Sequence, residues 1–68
     1  MTTNIDTVAL FAVATTMTKD GLNQMNIQTI LVSMEARSRE EAIGMAHEDA
    51  IKRLPDYKIF TTACIEIK

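Results

Sequence analysis

The 68-residue sequence predicts an α+β domain of β-β-α-β order: a three-stranded, mainly antiparallel sheet with one helix packed on one face. Three observations lead there. Two β-prone runs meet at an Asp-Gly pair, a Ser-initiated amphipathic stretch ends at the only proline, and an alternating run follows it.

The first run, Thr7 to Thr18, is rich in Val, Phe, Ala and Thr. Branched and aromatic side chains suit a pleated surface. No capping residue followed by an acidic turn marks a helix start here. A strand is expected over about residues 6–18.

Asp20-Gly21 suits a two-residue hairpin turn, which needs positive φ at both central positions. Such a turn places Phe11 opposite Ile30 and Ala9 opposite Val32. The second strand is expected over about 24–36, where Met25, Ile27 and Leu31 alternate with Gln24, Asn26 and Gln28.

Ser38-Arg39-Glu40-Glu41 is a capping box, in which a hydroxyl accepts from the amide three residues on and the glutamate reaches back. Ala42, Ile43, Ala46, Ala50 and Leu54 then form one apolar stripe. Pro55 stops the helix, expected over about 39–54, with Lys52 and Arg53 in its last turn. The alanines imply close approach to a sheet. Gly44 falls on the outer face, where packing does not require it.

The third strand is expected over about 57–67. Tyr57, Ile59, Ala63, Ile65 and Ile67 alternate with Lys58, Thr62, Glu66 and Lys68 and define one apolar face, from which Phe60 and Cys64 point away. It lies either beside the first strand and antiparallel to it, or parallel to the second through a right-handed crossover. The chain reads as one domain, residues 1–68, without repeats or linkers.

Apolar residues make up 47% of the chain and the formal net charge is −2, which argues against disorder and against a strongly basic face for phosphate backbones. The longest apolar run, Val8 to Ala14, is far short of the roughly 20 residues of a transmembrane helix. The N-terminal residues have no basic stretch of the secretory kind, and a lone cysteine suits a reducing compartment, so a cytoplasmic location is expected. The single Cys64 and single His47 offer neither an internal disulfide nor a structural zinc site.

His47-Glu48-Asp49 do not converge on a helix, where successive side chains diverge by about 100°. Cys64 has no neighbouring group in sequence to activate it as a nucleophile and reads as a small hydrophobe. Met17, Met25, Met34 and Met45 fill gaps in a small core or adapt to a partner. No catalytic, metal or cofactor residues are assigned, and the chain is not expected to be an enzyme.

The expected role follows from a shortage of cover. One helix shields one sheet face, yet both faces carry large apolar groups: Phe11, Val13, Ile30, Val32 and Met34 on one, Val8, Leu10, Ala12, Met25, Ile27 and Leu31 on the other. Self-association, as a homodimer, would cover the remainder. The expected function is therefore a non-enzymatic, homodimeric interaction or regulatory protein with an unidentified protein partner. Its candidate interface residues are Phe11, Val13, Ile30, Val32 and Phe60, with Glu40 and Glu48 from an acidic helix face. The alternative is a nucleic-acid-binding module using Arg37, Arg39, Lys52, Arg53 and Lys58, with Phe11 and Phe60 sharing a face for base stacking. In size and plan the chain is similar to many small accessory proteins of bacteria and their phages, a likeness of scale that rests on no particular residue.

Overall fold

Period-2 patterning becomes three long strands, and the capped stretch becomes one helix. The computed structural model describes residues 7–19 and 26–67. The elements are β1 (Ala9–Thr18), β2 (Ile27–Ala36), α1 (Arg39–Arg53) and β3 (Lys58–Ile67). The sheet has the order β2-β1-β3, with β1 antiparallel to both neighbours. The third strand therefore lies beside the first, and α1 carries the chain from one edge of the sheet to the other.

The hairpin register differs from that of a two-residue turn. Phe11 pairs with Met34 and Ala9 with Ala36, each four residues further along β2 (Met34 in place of Ile30). The ladder ends at Thr18 with Ile27, and the Lys19 amide donates to the Asn26 carbonyl at 3.0 Å. Residues 20–25 connect the strands, so the expected turn at Asp20-Gly21 lies outside the described residues, as do residues 6, 24 and 25 at the expected strand starts. The displacement is even, and strand side chains alternate with period 2. Every residue of β2 therefore keeps the face that the shorter turn would have given it.

The third strand departs further from expectation. Its pairing with β1 slips between Thr16 and Met17: Thr16 meets Thr61, while Met17 meets Ile59. Phe60 is the extra residue of a β-bulge, which breaks the alternation. Ile59 thus shares the helix-covered face with Met17, whereas Ala63, Ile65 and Ile67 pair with Ala14, Ala12 and Leu10 on the other side. The single apolar face expected for this strand is divided between two faces. Cys64, opposite Val13, faces the helix with Ile59, and Phe60 is exposed at the bulge.

Ser38, in extended conformation, caps α1: its hydroxyl accepts from the Glu41 amide at 3.1 Å. The Glu41 carboxylate reaches one residue beyond the usual box and accepts from the Arg37 amide at 2.7 Å. Glu40 and Glu41 favour the positive end of the helix dipole, and Lys52 and Arg53 its negative end. At the C-cap, the Leu54 amide donates to the Ala50 carbonyl and the Leu54 carbonyl accepts from Tyr57, turning the chain at Pro55 into β3.

Ala42 and Ala46 are buried against Phe11, Val13 and Ala36, with Ala9, Val32, Met34, Ile43 and Cys64 packed around them, and Ala50 is buried further along the same helix. Small side chains let the helix axis approach the sheet closely. Met17 and Thr15 complete this buried layer.

Candidate interaction surface

Along β1, inward and outward positions alternate without interruption. Phe11, Val13, Thr15 and Met17 are buried beneath α1, while Leu10, Ala12, Ala14, Thr16 and Thr18 face the other way. The register assembles that other face in rows. Glu35, Leu10 and Ile67 form the first, Ser33, Ala12 and Ile65 the second. Leu31, Ala14 and Ala63 form the third, and Thr29, Thr16 and Thr61 the fourth. In the last of these the Thr16 and Thr29 hydroxyls are 3.3 Å apart.

No described element covers this face. Leu31 is 69% exposed, Ile65 62%, and Leu10 and Ile67 40% each, and Phe60, at the bulge on the edge strand, is also exposed. Apart from Leu10 at one end, the central strand contributes only alanine and threonine, and the other bulky groups stand on the flanking strands. The open face is consequently a shallow trough, apolar along most of its length.

The structure separates the residues that the sequence suggested for an interface. Phe11 and Val13 are the core beneath α1, 5% and 0% exposed, and are unavailable to a partner. Val32 and Ile30 are half-buried on the same covered face. Phe60 is exposed, so it and Phe11 do not form a stacking pair. Glu40 and Glu48 lie exposed on the outer helix surface. Leu31, Ile65 and Ile67 were absent from the suggested set, although Leu31 and Leu10 alternate out of phase with Phe11, which was the available signal.

The basic residues are dispersed. Arg39 donates to the Cys64 carbonyl, tying the first turn of α1 to β3. Arg53 pairs with Asp49 at 2.8 Å at the other end of the helix, about 20 Å away at 1.5 Å per residue. Lys58 belongs to the open sheet face. No contiguous basic strip results among the described residues.

No protein-family model, curated protein or solved structure matches the chain.

The remaining chemistry is sparse. No pocket opens among the described residues, and no group of three or more His, Cys, Asp or Glu converges among them. His47 Nε2 lies 2.7 Å from the Thr62 hydroxyl at the helix–sheet boundary. Cys64 is a free, half-buried thiol. No described helix is long and apolar enough to cross a membrane. The largest unexplained feature of the surface is the uncovered apolar sheet.

Proposed function

We propose that the chain is a non-enzymatic, homodimeric interaction protein of regulatory or accessory type, which associates through the open face of its sheet. One observation carries this reading: Leu10, Leu31, Ile65 and Ile67 are 40–69% exposed on a face that α1 leaves uncovered. Contiguous apolar patches of more than a few hundred Å² mark interaction sites. Fully burying one such side chain contributes about 1.5–3 kcal/mol. Four partly exposed ones together compare with the whole stability of a small domain, before the entropy of association is set against them. The outer surface of α1, with Glu40, Glu41 and Glu48, stays free in this arrangement and is the surface offered to a further protein partner.

Sedimentation equilibrium between roughly 1 and 100 μM, the range in which modest dimers dissociate, tests the reading. The expected result is a reversible dimer. A species that remains at the 7.6 kDa monomer mass throughout would remove the basis for it.

A further inference from the structure

Among the paired positions of the open face there is one acidic and one basic side chain, at diagonally opposite corners. Glu35 on β2 shares the row of Leu10 and Ile67, and Lys58 on β3 shares the row of Thr18. Both are exposed. At 3.3 Å per residue the rows lie about 26 Å apart, and the two edge strands are separated by about 9.6 Å. Within one chain these charges are too distant to pair. Midway between their rows lies Ala14, flanked by Leu31 and Ala63.

We infer that the occupant of the open face is a second copy of this chain, turned about a twofold axis that crosses the strands at Ala14. The inference rests on the dimer reading above and specifies its geometry. The axis lies between the two sheets and reverses strand direction from one sheet to the other. It sets Glu35 of each protomer over Lys58 of the other, so one operation satisfies both corners twice. Exact superposition of the corners requires a crossing angle of about 40°, close to the roughly 30° of aligned sheet packing. Ala12 and Ala14 beside the axis allow close approach there. Leu31, the most exposed large apolar side chain, meets its own copy. Isologous interfaces have this self-complementary character.

Charge exchange tests the pairing. Dimer dissociation constants are measured by sedimentation for the full chain, Glu35→Lys, Lys58→Glu, the double variant, and an equimolar mixture of the two single variants. Circular dichroism of each verifies folding, which exposed positions should preserve. Each single reversal places like charges together twice and is expected to weaken the dimer about tenfold at low salt. The double variant should return to within about threefold of the original, because the two effects are coupled. The mixture should associate more tightly than either single variant alone. A dimer indifferent to both reversals, or one that the double variant does not restore, overturns this pairing and leaves the dimer standing. A monomeric parent chain overturns both.

Discussion

The imidazole of His47 and the hydroxyl of Thr62 stand 2.7 Å apart, joining the middle of α1 to the edge strand β3. Both groups are half-buried, so removing one partner leaves the other poorly solvated. Thr62→Val should lower stability by about 1 kcal/mol. Thr62→Ser, which keeps the hydroxyl, should recover most of that loss. Urea denaturation of the three proteins measures it, and equal stability of the Val and Ser variants would show the contact to be idle.

Thr15 presents the converse case. It is 1% exposed between Ile30 and Thr62, and its hydroxyl has no hydrogen-bond partner. A buried, unpaired hydroxyl is unfavourable, and valine reproduces the shape without it. Thr15→Val is expected to raise stability by about 1 kcal/mol. A loss on the same denaturation curve would count against the hydroxyl being unpaired.

Ala46 is 1% exposed where α1 meets the sheet. Ala46→Leu inserts three carbons into a close-packed boundary and should destabilise by about 1–3 kcal/mol. An unchanged midpoint would mean that the helix stands further from the sheet than its alanines imply.

Gly44 has nothing within 4 Å of where its Cβ would lie. Gly44→Ala should therefore stabilise the helix by about 0.5–1 kcal/mol through restricted unfolded-state freedom. Because Gly44 lies on the outer surface of α1, the dimer constant should not change. A weakened dimer would place the helix, rather than the sheet, at the interface.

In the proposed dimer, Leu31→Asp puts a carboxylate in the middle row of the open face, against its symmetry copy. The protomer fold should survive, because Leu31 is 69% exposed within it. The dimer constant should rise at least about thirtyfold, the effect of losing a central contact. Sedimentation with circular dichroism separates loss of association from loss of fold.

What could be read from the residues alone was local in origin. The Ser38 cap, the alanine stripe and the Pro55 stop act within a few residues of themselves, so the helix bounds needed no tertiary information. Strand identity came likewise from side-chain branching and alternation. The two faces of β1 and β2 were also separable, because an even change of register preserves them.

Three things required the folded chain. The hairpin register, with Thr18 opposite Ile27, is a property of the paired strands and could not be counted from a dipeptide. The bulge at Phe60 is invisible to period-2 counting, yet it turns Ile65 and Ile67 out with Leu10 while Ile59 stays inside. Finally, alternation shows that a strand has two apolar sides but not which one the helix will cover. That choice fell to the packing of Ala42 and Ala46 onto Phe11 and Val13, contacts between residues far apart in the chain, and it left Leu31 and its neighbours on the outside.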